Sequence, residues 1–387
     1  MRGGVILSIV VLAAGSFSLI GASANSPLIS SAFGLSAIGI GGIASVAYFG
    51  ALVASRSAGR YTDKVGPVPV ILLGLLALAA GNVLAGLALH PAWLLSGMFM
   101  AGLGYGSVNP ATSVLSNPST VRRRGILMSI KQSGVPLGGL VAGAVLPVIG
   151  VKYGWRSAFA VSALLCLFVA TFVSIWHKKS TPKSQAGIVK HQGKRNLRAP
   201  WGYMFGLLIA GVQVSIFAFM ASYLVDARGA SASAAGLGVS LLLVGGVVGR
   251  IFWGWLSDMF PLHRIAFLEV IGVLGAGMIA LLVVVPDLAL PPTLVILGVC
   301  SVGWNGVYIA AVSESAVTSR VGTSTGVALT FINAGAILCP ILVGALIFLT
   351  ASWTYGLLSL TALSVASSIV AYFGSKKSAK KQIVQIS

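Results

Sequence analysis

Residues 59–66 read GRYTDKVG, a short stretch in which Gly59 is followed four residues later by Asp63 and then by Gly66. The stretch comes directly after an apolar run, and the second half of the chain holds a related one, GWLSD, at residues 254–258. Two copies of one pattern, about 200 residues apart, indicate that a large unit is repeated. The apolar runs around the two copies therefore decide which fold is repeated.

The composition is that of a membrane protein. Of the 387 residues, 57% are hydrophobic and 8% are charged, and the mean hydropathy is +0.99. A soluble domain carries about 25% charged residues, so soluble enzymes and soluble nucleic-acid-binding proteins are excluded. Cys166, Cys300 and Cys339 all lie in apolar runs, which supports neither a disulfide framework nor a zinc site. We expect no cofactor and no metal.

Twelve apolar runs are long enough to cross a bilayer, for which a helix needs about 20 residues. The first six are 4–24, 35–57, 68–89, 91–115, 125–149 and 156–177, and the last six are 201–224, 234–255, 265–286, 292–313, 323–349 and 353–374. The sequence therefore predicts an all-α integral membrane protein whose twelve transmembrane helices form two six-helix repeats. The expected parts are an N-terminal six-helix bundle at 1–177, a cytoplasmic basic linker at 178–200, a C-terminal six-helix bundle at 201–374 and a cytoplasmic basic tail at 375–387.

The net charge of +19 is distributed unevenly over the loops. With the N-terminus in the cytoplasm, seven basic residues lie in the inner linker and four in the inner tail, whereas the outer loops hold only Lys152, Arg156 and Arg228. The remaining inner residues are Arg2, Arg56, Arg60, Lys64, Arg122, Arg123, Arg124, Arg264 and Arg320. This positive-inside asymmetry predicts that both termini are cytoplasmic. Anionic membrane lipid balances the charge, so no nucleic-acid partner is expected.

Residues 1–24 allow a second interpretation. Ala22-Ser23-Ala24 resembles the cleavage site of a secretory signal peptide. The apolar run is longer than a usual signal core, and its removal would spoil the repeat, so we favour a first transmembrane helix.

Two further landmarks recur across the linker at nearly the same spacing. Gly134 corresponds to Gly335, and Trp155 corresponds to Trp353. Duplicated units of this kind are a recurring plan of secondary transporters, whose substrate site lies at the interface of the repeats near the bilayer midplane.

These features together resemble the major facilitator superfamily over essentially the whole chain. The resemblance rests on Gly59-x-x-x-Asp63-Lys64-x-Gly66, on Arg250-x-x-x-Gly254-x-x-x-Asp258, and on the GWRSAF stretch at 154–159. It implies a transporter that works as a monomer by alternating access, with helices one, four, seven and ten lining a central cavity. The family's loop usually ends in further basic residues, whereas PVP at 67–69 follows here.

The two aspartate motifs predict a gate. A carboxylate at the cytoplasmic end of a helix can accept hydrogen bonds from the N-terminal amides of a helix in the opposite half, and glycines let the helices approach. We therefore assign gating roles to Gly59, Asp63, Arg250, Gly254 and Asp258. The alternative is that these charges merely anchor a tight turn.

Lys131 is the most informative candidate for substrate binding. It lies about 9 Å into the predicted fifth span, where an ionised lysine costs several kcal/mol unless it faces water, a carboxylate or a substrate anion. The alternative is that its flexible stem carries the ammonium back to the inner headgroups.

The other predicted substrate ligands are polar or aromatic side chains within spans, where lipid would not tolerate unpaired polar groups. They are Tyr105, Asn109, Gln132, Gln213, Trp304, Asn305, Tyr308 and Asn333. Gln132 and Asn333 occupy matching positions of the repeats, and Tyr105 and Asn109 share one helix face. An aromatic lining with few amides suits a small organic solute. Core packing and interhelical hydrogen bonding remain alternatives for each of these residues.

The acidic residues are informative by their positions. No carboxylate lies at mid-depth in spans one, four or seven, where exporters of cationic drugs in the resembled family typically carry one. Many proton antiporters of the resembled family carry an arginine in span four. This arginine is missing here, where Met98 stands four residues before Gly102. Glu314 and Glu269 are the candidates for proton coupling, and the alternative is that they pair with nearby arginines.

The sequence thus favours a secondary active transporter that moves a small organic anion, with protons as the candidate coupling ion of a symporter. The first alternative is an efflux transporter, a proton antiporter for neutral or amphipathic compounds. The second is a transporter-like receptor that binds solute without moving it. An enzyme is not supported, since no nucleophile–base pair, metal cluster or phosphate loop is visible. We expect a multi-pass protein of a bacterial inner membrane.

Overall fold

The computed structural model describes residues 2–34, 37–116, 124–180, 200–230, 232–260, 264–315 and 321–386, and all regular structure in these ranges is helical. Helices satisfy their backbone hydrogen bonds internally, as a lipid environment requires. Ten helical segments are long and apolar enough to cross a membrane. Two more helices, Ala37–Val65 and Pro91–Leu115, coincide with predicted spans at 35–57 and 91–115.

Fifteen α-helices are described. In chain order they are α1 Arg2–Ala24, α2 Ser26–Phe33, α3 Ala37–Val65, α4 Pro67–Gly86, α5 Pro91–Leu115, α6 Arg124–Gln132, α7 Gly134–Tyr153, α8 Trp155–Ser180, α9 Pro200–Asp226, α10 Ala232–Met259, α11 Arg264–Val284, α12 Leu290–Val302, α13 Asn305–Ser315, α14 Val321–Thr350 and α15 Trp353–Ile386. A 3₁₀ turn at Asp287–Ala289 precedes α12. The short helix α2 was not predicted.

Both aspartate motifs lie within helices, although the predicted span ends placed them in the loops that follow. α3 continues about two turns past residue 57, and α10 continues to Met259. Gly66 ends α3 in a conformation with φ of +88°, which favours glycine. Pro67 then starts α4 at a position where its missing N–H costs no helical hydrogen bond. Because the motif is helical, Gly59 and Asp63 share one helix face.

The predicted span at 125–149 is divided into α6 and α7 by a turn at Ser133. Pro136 has no N–H to donate to the carbonyl of Gln132, so the regular hydrogen-bond ladder is interrupted at this point. The next amide, of Leu137, donates to the carbonyl of Ser133 at 3.2 Å.

The predicted span at 292–313 is interrupted at Gly303 and Trp304. Helical bonding resumes at once, since the amide of Tyr308 donates to the carbonyl of Trp304 at 3.0 Å. Discontinuous helices of this kind commonly form substrate and ion sites in transporters.

The contacts divide the chain into two compact units. The first comprises Met1–Val121, Lys131–Arg195 and Ser313–Thr330, and the second comprises Arg122–Ile130, Asn196–Val312 and Phe331–Ser387.

In the first unit, α3 and α4 both pack along α5, and α1 packs along α7. Gly81 of α4 and Gly97 of α5 let these helices approach closely, because a methyl group at either position would collide with the backbone of the other helix. Small residues at helix crossings explain why the chain contains 49 glycines. The core of this unit includes Leu12, Ile71 and Leu75, all fully buried.

In the second unit, α10 packs on α12, and α15 packs on both α9 and α11. Its core is built around Ile216, Leu242 and Leu297.

Several predicted features lie outside the described residues. They are the linker between 181 and 199 and the loop residues Arg122, Arg123 and Arg320.

Candidate functional site

The carboxylate of Asp63 binds the N-terminus of α14. It accepts hydrogen bonds from the backbone amides of Gly322 at 2.8 Å and Thr323 at 2.7 Å, and from the Thr323 hydroxyl at 2.5 Å. The first amides of a helix have no intrahelical acceptor and carry the positive end of the helix dipole, so an anion is the preferred partner. Gly59 permits this approach, because a methyl group there would collide with the carbonyl oxygen of Gly322.

Asp258, in the second copy of the motif, makes the corresponding contact in the second unit. One carboxylate oxygen accepts from the amide of Ile126, in the first turn of α6, at 2.8 Å. The other accepts from the guanidinium of Arg264 at 2.7 Å, and the two side chains are only 6% and 4% exposed. Each motif thus places a carboxylate at the start of a helix that is distant in sequence.

Arg250 of the second motif is also buried. Its Nε donates to the carbonyl of Val302 at 3.3 Å, among other contacts. Val302 is the last residue of α12, so the guanidinium lies at the negative end of a helix, next to the interruption at Gly303. The gating roles of Gly59, Asp63, Arg250, Gly254 and Asp258 stay predictions.

Lys131, in the last turn of α6, is completely enclosed, with 0% of its surface exposed. Its Nζ donates to the Ser113 hydroxyl at 2.8 Å and to Asn109 Oδ1 at 3.3 Å, both on α5. The ammonium therefore points into the first unit, and the stem does not carry it to the headgroups as the alternative interpretation required. The lysine joins one predicted ligand, Asn109, with Ser113, which the sequence reasoning missed.

No acid accompanies this lysine. The chain has six acidic residues, and all of them lie in the described ranges. Asp63 binds helix amides, while Asp258 and Asp287 form ion pairs with Arg264 and Arg228. Neither Asp226, Glu269 nor Glu314 comes within ion-pair distance of Lys131, whose two hydrogen-bond acceptors are both neutral.

A second polar and aromatic cluster lies in the second unit, at the interruption between α12 and α13. The Trp304 indole donates to Gln213 Oε1 at 2.7 Å, which joins two predicted ligands. The Trp304 and Tyr308 rings are 5.5 Å apart, and Phe205 packs edge-on against Trp304 at 6.1 Å. Phe205 was missed, because a phenylalanine in an apolar span gives no sequence signal of its own. Trp304 and Tyr308 are almost fully buried.

The Tyr308 hydroxyl has no hydrogen-bond partner among the described residues, although it is buried. Gly206 makes room for it, since a methyl group there would contact the hydroxyl oxygen. A buried hydroxyl without a partner is costly, so this group is available to a ligand or to water.

The remaining predicted residues lie on α5, α6, α13 and α14. Tyr105 packs against Gly15 of α1. Gln132 ends α6 and Asn333 lies in α14, both buried, while Asn305 begins α13 and is half-buried.

The two candidate proton carriers lie on different helices. Glu269 is half-buried in α11, and the guanidinium of Arg264 pairs with Asp258. Glu314 is half-buried near the end of α13.

A narrow apolar crevice lies in the second unit. Phe219, Tyr223, Ile347 and Trp353 contribute to its wall, together with the buried Ser215 hydroxyl. None of the predicted substrate ligands lines it.

Comparison with known proteins identifies the family. The sequence profile of the Major Facilitator Superfamily matches residues 6–338 and 204–386. Two solved structures align with the chain at a TM-score of 0.69: the transporter FucP in the outward conformation, and a single-residue variant of FucP, the E. coli fucose:proton symporter. Each alignment covers 94% of this chain and 97% of the other, at 17% and 16% identity.

Among curated relatives, the gentisate transporter of Corynebacterium glutamicum is 27% identical over 343 residues, which is 83% of this chain and 75% of that protein. The probable sulfoacetate transporter of Cupriavidus necator is 28% identical over 257 residues, 61% and 60% of the two chains. The 4-hydroxybenzoate transporter of Pseudomonas putida is 25% identical over 173 residues, 44% and 38% of the two. The predicted twelve-helix fold and its two repeats are confirmed: this multi-pass membrane protein belongs to the Major Facilitator Superfamily of transporters.

Proposed function

We propose that the protein is a secondary active transporter of a small organic anion, which it moves by alternating access. The observation that carries the proposal is the enclosed Lys131, whose side chain bonds only neutral acceptors and has no acidic partner in the chain. A lysine at such a position can carry its charge only at a high cost unless a counter-ion is present. A transported anion would be the counter-ion of this lysine.

The relatives support an anionic substrate. The names of three of them refer to gentisate, sulfoacetate and 4-hydroxybenzoate, all of which are organic acids. We propose that this chain takes a substrate of that class, with aromatic carboxylates as the first candidates. The paired rings of Trp304 and Tyr308 suit an aromatic solute.

The other proposed ligands are the eight side chains predicted from the sequence. Gln132, Asn305, Tyr308 and Asn333 would orient the solute by hydrogen bonds. The unpaired hydroxyl of Tyr308 supports its role. The motif residues Asp63 and Asp258 would act as gates, because contacts that exist in one state of a transporter bias its equilibrium.

The expected setting is a bacterial inner membrane, with both termini cytoplasmic and the protein acting as a monomer. The two six-helix bundles at 1–177 and 201–374 would rock against each other during transport. Anionic lipid would contact the inner basic loops.

A thermal-shift screen of the purified protein tests the anionic substrate. The probes are gentisate, 4-hydroxybenzoate and sulfoacetate, with glucose as a neutral solute and tetraphenylphosphonium as a cation. A ligand at 100 times its Kd adds about 2.7 kcal/mol to the free energy of unfolding. We expect one or more anions, but neither of the others, to raise the melting temperature.

Two variants make the screen specific to the site. Lys131→Met should abolish the shift produced by the anion. The control, Lys152→Met, removes an exposed lysine at the end of α7 and should keep the shift. Stabilisation by neutral or cationic compounds that survives in Lys131→Met would instead favour the efflux transporter.

A further inference from the structure

We infer that Lys131 is also the proton carrier of the transporter, so that one proton crosses the membrane with each anion. The inference rests on the proposed function and adds the coupling ion and its site. It replaces Glu269 and Glu314, the carriers expected from the sequence, with the residue that would hold the substrate.

The hydrogen bonds around Lys131 fit both protonation states of its side chain. A neutral amine has two N–H groups, and two acceptors, Asn109 Oδ1 and Ser113 Oγ, lie within reach. The Ser113 hydroxyl donates its own hydrogen to the carbonyl of Asn109 at 2.9 Å, so its oxygen is left to accept from the lysine. Both N–H groups of the uncharged amine therefore have an acceptor, and its lone pair is where a proton adds. A third N–H exists only after protonation, and it is the donor left over for an anion.

Among the described residues, no ion pair reaches Lys131 to hold the proton in place of the substrate. α5 carries Tyr105, one turn before Asn109, and α6 itself begins at Arg124. Of the helices packed on α5, α1 carries only Arg2 and α4 carries no titratable residue. The third, α3, carries Tyr48, Arg56, Arg60, Tyr61, Asp63 and Lys64. α7 carries only Lys152 and Tyr153, at its far end. The acids of the first unit are Asp63, which binds helix amides, and Glu314, which forms no ion pair with Lys131. A buried cation without a counter-ion is costly, so the proton and the anion are expected to bind together.

The coupled step balances in atoms and charge. On the loading side, the amine of Lys131 takes one proton from water as the carboxylate binds, and an ammonium–carboxylate pair with no net charge forms. On the release side, the anion leaves and the ammonium returns its proton to water. The empty carrier goes back with a neutral amine. Transport is therefore electroneutral, with one proton for each monovalent anion.

Arginine at position 131 separates binding from coupling, because a guanidinium keeps its proton at every accessible pH. The full chain is reconstituted in liposomes, and radiolabelled gentisate is followed with a trapped pH dye. For the wild type we expect uptake that is driven by an acidic exterior and is indifferent to membrane potential. For Lys131→Arg we expect loss of gradient-driven uptake, with measurable exchange of external for internal gentisate. Lys152→Arg is the control and should retain both activities.

A second measurement covers the case in which the arginine variant does not fold. Binding of gentisate to wild-type protein in weakly buffered detergent solution should take up to one proton per anion from the medium. Absence of proton uptake over the whole pH range of binding overturns the inference. So does gradient-driven accumulation by Lys131→Arg, or wild-type uptake driven by membrane potential. Failure of the proposed function gives a different result, because no anion of the panel would then bind the wild type. The proton-carrier role of Lys131 would be rejected together with the proposed function in that case.

Discussion

The carboxylate of Asp63 accepts a 2.7 Å hydrogen bond from the backbone amide of Thr323, 260 residues further along the chain. Asp258 repeats the arrangement with the amide of Ile126, 132 residues away. In each case a motif carboxylate neutralises the unpaired donors of a helix start. The shared chemistry of the two copies is thus the capping of a helix start by an anion across a long sequence distance.

Replacement of Asp63 should weaken this contact measurably. Asp63→Ala leaves the amides of Gly322 and Thr323 without their acceptor, and hydrogen bonds to a charged group contribute about 1.5 to 3 kcal/mol. We expect a lower melting temperature and altered transport rate. The control is Asp226→Ala, which removes an exposed acid at the end of α9. Equal melting temperatures for the two variants would show that the capping contact contributes nothing.

The Asp258–Arg264 pair should show strong coupling in a double-mutant cycle. Both side chains are buried, and removal of one partner leaves an uncompensated charge, which costs about 3 to 5 kcal/mol. Asp258→Ala and Arg264→Ala should each destabilise the protein. The loss in free energy of unfolding in the double variant should be smaller than the sum of the losses in the two single variants. Chemical unfolding measures all three values. Additive losses would mean that the pair does not interact energetically.

Two glycines of α7 should respond oppositely to alanine. A methyl group at Gly138 would collide with the backbone carbonyl of Ala13 on α1, and overpacking of this kind costs about 1 to 3 kcal/mol. A methyl group at Gly143 meets nothing within 4 Å. Gly143→Ala should therefore be neutral or stabilising, since alanine favours helix by about 1 kcal/mol over glycine. Thermal unfolding of both variants checks this, and a stable Gly138→Ala would argue against close packing of α1 and α7.

The unpaired hydroxyl of Tyr308 should matter to ligand binding but not to folding. Tyr308→Phe removes a buried group that has no partner among the described residues, so the free energy of unfolding should stay constant or rise by about 1 kcal/mol. If the hydroxyl binds substrate, affinity should fall about tenfold, equivalent to about 1.4 kcal/mol. Calorimetric titration with gentisate measures the affinity. An unchanged Kd would assign Tyr308 to the core.

The membrane spans could be predicted from the sequence because their length is fixed by bilayer thickness. Interruptions within spans were harder to predict. Pro136 gave a usable signal for the break at Ser133, whereas Gly303 is one glycine among many, and tertiary packing decides which of them interrupts a helix. The motif helices also extend beyond their apolar runs, since α3 ends only where Gly66 and Pro67 stop it.

The candidate site could be predicted in part. Lys131 is identifiable because a lysine is unusual within a membrane span. Asn109 is identifiable because an amide side chain is also unusual there. Ser113 was missed, although it lies four residues after Asn109 and hence on the same helix face. The partners of Asp63 could not be named from the sequence, because backbone amides carry no residue-specific signal and lie hundreds of positions away.

Counterflow in liposomes tests whether the protein transports an organic anion that binds at Lys131. Proteoliposomes are loaded with unlabelled gentisate, 4-hydroxybenzoate or sulfoacetate, diluted into a trace of the same labelled anion, and compared with matched assays of glucose and tetraphenylphosphonium. We expect transient accumulation of an anion by the wild type and by Lys152→Met, and none by a folded Lys131→Met. Accumulation of the cation or the neutral solute instead, or undiminished anion exchange by Lys131→Met, would contradict this expectation.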